Sequence, residues 1–127
     1  MASSTQYTLK QSITLSGIGL HSGKPANLTL NPAESDTGIT FVRTDMTDRD
    51  NIIPARWDRV VDTRLCTVLG NEAGATVATI EHLMAALRGA DIANAVIHID
   101  GPEIPAMDGS AAEFLAAIDR AGIVDQG

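Results

Sequence analysis

The stretch VATIEHLMAALRG, residues 77–89, decides the fold class, because it interrupts a series of strand-like segments with a short amphipathic helix. Thr79 is placed to cap its N-terminus and Gly89 to stop it. Its first turn carries adjacent Glu81 and His82, whereas Leu83, Met84, Ala85, Ala86 and Leu87 behind them are small or apolar. A second helix is written into DGSAAEFLAAIDRAG, residues 108–122. There Ser110 and Glu113 have capping-box spacing, Phe114, Leu115 and Ile118 recur at helical intervals, and Gly122 is the stop.

Working outward, the remaining segments alternate. Tyr7, Leu9, Ile13 and Leu15 have the period of a half-buried strand, and SGIGLHSGKP (16–25) bends the chain with Gly17, Gly19 and Gly23. Ala26, Leu28 and Leu30 alternate again up to the turn cluster NPAESDTG (31–38), after which Ile39 and Phe41 begin a third strand. TDMTDRDN (44–51) reads as an exposed loop, IIPARWDRV (52–60) as a return to the sheet, and LCTVLG (65–70) as a short apolar strand. After the first helix, NAVIHID (94–100) puts Ala95, Ile97 and Ile99 on one face and Val96 and His98 on the other. The pattern predicts an α+β two-layer domain over residues 1–127: one mainly antiparallel sheet with both helices packed on one face.

Bulk properties narrow the function. A chain of 127 residues with 44% hydrophobic content can bury a core without staples. Its net charge of -7, with no local run of Lys or Arg, repels phosphate backbones, so nucleic acid is excluded as a partner. One cysteine, no leader-like N-terminus and no long apolar run point to a cytoplasmic protein without a transmembrane segment.

The chemistry, if any, centres on Glu81 and His82. The positive end of a helix favours a carboxylate and disfavours an imidazolium, leaving an imidazole suited to ligate a metal and a carboxylate suited to accept a proton. Yet a first-turn Glu needs only the dipole to explain it, a lone His there is more often a cap or packing residue, and Ala86 four positions after His82 excludes a His-Glu-x-x-His zinc helix. His98 and Asp100 share a strand face and read as solvated, and His21 sits in a glycine-bracketed loop. Cys66 reads as a buried, inert strand residue, and Gly17 with Gly19 does not complete a dinucleotide loop.

Five fragments change those odds when taken in order: GIGLHSGK (17–24), DTGITFVRTD (36–45), DTRLCTVLGNE (62–72), TIEHLMAALRG (79–89) and PEIPAMDGSAAEF (102–114). From about Tyr7 to Ile123 the chain resembles the N-terminal domain of the UDP-3-O-acyl-N-acetylglucosamine deacetylases, zinc hydrolases of lipid A and lipopolysaccharide biosynthesis in Gram-negative bacteria. The resemblance implies half of a β-α-α-β sandwich, in which the helices of two similar domains pack between two outer sheets.

It further implies that Glu81 is the general base and His82 one of three protein ligands to a catalytic zinc. Leu65, Cys66 and Thr67 would lie near metal and substrate, and His21 would be a nearby polar contact. The other ligands would belong to a C-terminal catalytic half, and the substrate would be a UDP-sugar lipid precursor. Expectations for this chain alone are therefore no deacetylation, weak zinc binding and self-association through its helix layer, possible because HLMAAL and EFLAAI are apolar around more than one face. The alternative is a stand-alone binding or regulatory module of the same fold.

Overall fold

The computed structural model describes residues 5–64, 66–107 and 111–127. Its largest element is a five-stranded sheet. Strand β2 (Ile13–Ile18) forms a hairpin with β3 (Pro25–Pro32), and β4 (Ile39–Arg43) pairs antiparallel with β5 (Ile52–Pro54). Strand β9 (Ala95–Ile99) lies between the two hairpins, antiparallel to β3 and parallel to β4, giving the order β2-β3-β9-β4-β5.

Period-2 alternation makes one face of this sheet apolar. Across it, Leu30 faces Ile97, Ile97 faces Phe41 and Phe41 faces Ile53, all four fully buried. On the opposite face Thr14, Thr29, His98 and Val42 stand in register, and Thr14 and Thr29 hydroxyls share a hydrogen bond of 3.2 Å. Helix α1 (Glu81–Gly89) buries Leu83, Ala86 and Leu87, and α2 (Ala112–Ala121) buries Phe114, Ala117, Ile118 and Ala121, in one apolar cluster with the sheet. Each large side chain so buried is worth roughly 1.5–3 kcal/mol.

The α+β class is as expected, but the strands divide among three sheets. The alternation at Tyr7, Leu9, Ile13 and Leu15 is not one strand. Its first part, β1 (Tyr7–Leu9), pairs instead with β10 (Ile123–Asp125) in a two-stranded ribbon, and the Lys10 N–H donates to the Gly122 carbonyl at 2.8 Å. Buried Asn94 ties that ribbon to the sheet: it donates to Gln6 Oε1 and Gln126 Oε1, both at 2.8 Å, and accepts from the backbone of Thr37 and Gly38. The third sheet is a meander of β6 (Val60–Asp62), β7 (Val68–Gly70) and β8 (Thr76–Ala78), entered through a single 3-10 turn at Trp57–Arg59.

Helix boundaries also shift. Helix α1 is preceded by Ile80, not capped by Thr79, whose φ of 61° and hydrogen bonding commit it elsewhere. It continues through Gly89 to end at Ala90. The flanking residue of α2 is Ala111, with no side-chain cap bond, and Ser110 lies outside the described residues. Gly122 does end α2, at φ 82°, donating to the Ile118 carbonyl at 3.0 Å.

Candidate active site

The segment after β9 joins the two larger sheets at one end of the molecule. The Ala78 N–H donates to Pro102 O at 2.8 Å, the Ile104 N–H to Ala78 O at 3.0 Å and the Ala106 N–H to Ile18 O at 2.9 Å. Between these anchors Glu103 turns inward and is 3% exposed. Its carboxylate accepts from the backbone N–H of Ser22 at 2.8 Å, from His21 N–H at 3.0 and 3.1 Å, and from the Thr79 hydroxyl at 2.6 Å. Burial pushes this carboxyl up, but the Thr79 hydroxyl and the amides of Ser22 and His21 outweigh it and hold it below its ordinary value.

The helix N-terminus is fixed from the other side. Thr79 N–H donates to Thr67 O at 2.9 Å, and Thr67 N–H donates to Glu81 Oε1 at 2.8 Å. Glu81 is half-buried with its carboxylate oriented by that amide, and Oε2 takes no hydrogen bond among the described residues. His82, the next helical residue, is half-buried as well.

Thr67 and Glu81 line a groove of about 340 Å³ whose other walls include Trp57, Leu69, Ile80 and Met84. His21 and Cys66 share a hollow of about 470 Å³ with Asp62, Arg64 and Val68. The Arg64 guanidinium beside Asp62 lowers that carboxyl to about 2.

His21, Thr67 and Glu81 are thus drawn together by hydrogen bonds through Glu103 and Thr79, with His82 adjacent to Glu81 and Cys66 adjacent to Thr67. Leu65 lies outside the described residues. Cys66 is half-buried in a bend before β7, not buried within a strand, because the chain turns there to present Thr67 to α1. His98 is exposed on the sheet face away from the helices, and Asp100 is occupied by Asn27 N–H and Nδ2 at 2.7 and 2.8 Å.

Glu103 was assigned no role from the sequence. A cue exists in PEIPAM, where one acid stands between two prolines directly after a strand, but its donors are distant in sequence.

Among the described residues no group of three or more His, Cys, Asp and Glu side chains could hold a metal ion. Glu81 and His82 are consecutive in the first turn of α1, so this helix offers at most one carboxylate and one imidazole from that turn. A catalytic zinc ordinarily takes three protein ligands and keeps one open position, a demand these residues do not meet on their own. No helix among the described residues is long and apolar enough to cross a membrane.

The family model for LpxC, UDP-3-O-acyl N-acetylglycosamine deacetylase, matches residues 6–127. The chain is 50% identical over 121 residues to the UDP-3-O-acyl-N-acetylglucosamine deacetylase of Phenylobacterium zucineum (strain HLK1), covering 95% of this chain and 41% of that protein. It is 53% identical over 123 residues to the protein of that name from Anaeromyxobacter dehalogenans (strain 2CP-C), covering 97% and 39%. With the one from Geobacter sp. (strain M21) it shares 56% identity over 118 residues, covering 93% and 38%. The chain spans about two fifths of the length of the curated relatives it matches. With the match running through every element that builds the groove, this chain belongs to the UDP-3-O-acyl N-acetylglycosamine deacetylase family.

Proposed function

We propose that this chain is the N-terminal domain, residues 1–127, of a cytoplasmic zinc-dependent deacetylase acting on UDP-3-O-acyl-N-acetylglucosamine in lipid A biosynthesis, and that it supplies the general base, Glu81, and one metal ligand, His82. The observation that carries the reading is the Glu81 carboxylate, oriented by Thr67 N–H at 2.8 Å at the edge of the groove. With Oε1 so engaged, Oε2 is the atom that takes the proton from the water attacking the N-acetyl carbonyl. Cleavage of the C–N bond releases acetate, and the proton needed by the leaving amine comes from a group outside this chain. Zinc, when bound, supplies a Lewis acid to the carbonyl oxygen, and two further protein ligands would come from the C-terminal half. Thr67, Cys66, Leu65 and His21 would contact substrate or the groups beside it.

The outward helix surface, where Ala85, Leu115 and Ala116 are exposed, is assigned to packing against that half. In the isolated chain the same surface would pair with a second copy, and sedimentation showing only monomer at high concentration would refute this.

Substitution in the longer protein tests the catalytic assignment. Glu81→Ala is expected to abolish most turnover with zinc retained, and His82→Ala to lose the metal as well. Equal zinc loss in both would reverse the roles. Undiminished turnover in Glu81→Ala would favour a non-catalytic binding or regulatory module.

A further inference from the structure

We infer that Glu103 is a positioning residue for this site: its buried carboxylate sets the His21 loop and the turn leading into Glu81 and His82 in one fixed relation. The inference rests on the reading of Glu81 as general base. A carboxylate is an expensive filler for a buried position beside Ile104, itself 1% exposed. What it offers that an apolar side chain does not is a directed acceptor. Here that acceptor gathers donors from two separate segments, His21 and Ser22 on one side and Thr79 on the other.

The backbone has been fitted to it. A Cβ on Gly19 would collide with the Glu103 carboxylate and the Ser22 hydroxyl, so the glycine makes room for the acid. Thr79, buried and β-branched, adopts φ 61°, a left-handed conformation that persists only where surroundings enforce it. The enforcement comes from its hydroxyl on Glu103 and its N–H on Thr67 O. Thr67 in turn orients Glu81, so the chain Glu103, Thr79, Thr67, Glu81 is continuous at hydrogen-bond distances of 2.6, 2.9 and 2.8 Å. Released from Glu103, Thr79 relaxes toward an ordinary conformation and carries Thr67 and the base with it.

The experiment uses the longer protein that carries this chain, with UDP-3-O-acyl-N-acetylglucosamine as substrate. Thr79→Val removes the hydroxyl at constant shape, Thr79→Ser restores it, and Glu103→Gln keeps the volume while losing one acceptor. Thr79→Val and Glu103→Gln are each expected to lower kcat about tenfold or more while KM moves less than about twofold, because misplacing a catalytic group costs turnover before binding. Thr79→Ser is expected to recover most of the lost kcat, and the double variant Thr79→Val with Glu103→Gln to be no slower than the worse single one.

Wild-type kcat in Thr79→Val and Glu103→Gln, beside an inactive Glu81→Gln, would overturn this inference and leave the catalytic reading intact. Full activity in Glu81→Gln would overturn both. Failure of Thr79→Ser to recover kcat would reduce Thr79 and Glu103 to structural roles and also overturn it. Should Glu103→Gln fold poorly, hydrogen exchange at the His21 and Ser22 amides in Thr79→Val reports the same coupling: faster exchange supports it and unchanged exchange overturns it.

Discussion

The five-stranded sheet and the site end of the molecule are held by opposite means. In the sheet, Leu30, Ile97, Phe41 and Ile53 stack across strands with no polar group among them, and hydrophobic burial carries the stability. At the site end, Glu103 and Thr79 are buried but polar, and directed hydrogen bonds replace area. The first arrangement tolerates a change of shape by repacking, at a cost graded with volume. The second fixes where atoms stand, and fails in steps as individual donors lose their acceptor.

Substitutions in the two regions should separate these modes. Phe41→Ala is expected to have the largest effect on stability, about 3–5 kcal/mol by denaturant unfolding, since it empties the middle of the stacked row. A loss below about 1 kcal/mol would mean the sheet face is not where stability is concentrated. Glu103→Ala is expected to cost less, about 1–3 kcal/mol, by stranding the amides of His21 and Ser22 and the Thr79 hydroxyl. Its signature is local, seen as faster hydrogen exchange at His21 and Ser22 with the Leu30 and Ile97 amides still protected.

Acid should find the same difference. Glu103 is held below its ordinary value of 4.5, so the folded state binds its proton less readily than the unfolded state. That stability is complete above the unfolded value and is lost as pH falls through the folded one. Asp45, lowered by its hydrogen bond to Arg43, titrates with the same sign. The acid-side loss is therefore expected to be shallower, not absent, in Glu103→Gln than in wild type, and identical slopes would refute the assignment. The smallest effect belongs to the exposed pair Asp62 and Arg64, where Asp62→Asn is expected to leave the unfolding midpoint unchanged despite a 3.1 Å ion pair.

The contrast also explains what could be read from the amino-acid order. Ala26 to Leu30 and Ala95 to Ile99 carry the period of a sheet with one buried face, so their strands and facing are legible locally. Glu81 and His82 were legible as a pair, although only the ordered fragments gave them meaning. Thr79 looked like a helix cap because its cap chemistry is local, whereas its actual partner is Glu103 and its φ is set by a fold that brings the two together. The pairing of β1 with β10 was equally hidden, since Ile123 and Val124 are both exposed and show no alternation.

The place of β9 has a kinetic consequence. Strands β2 with β3, and β4 with β5, are hairpins whose partners are close in sequence, so each can form early and alone. Within the sheet neither hairpin pairs with the other; each pairs instead with β9, made much later in the chain. Insertion of that strand, antiparallel on one side and parallel on the other, is the event that turns two hairpins into a sheet. The expected rate-limiting step is therefore the docking of Ala95–Ile99, so that Ile97→Val slows refolding more than it hastens unfolding.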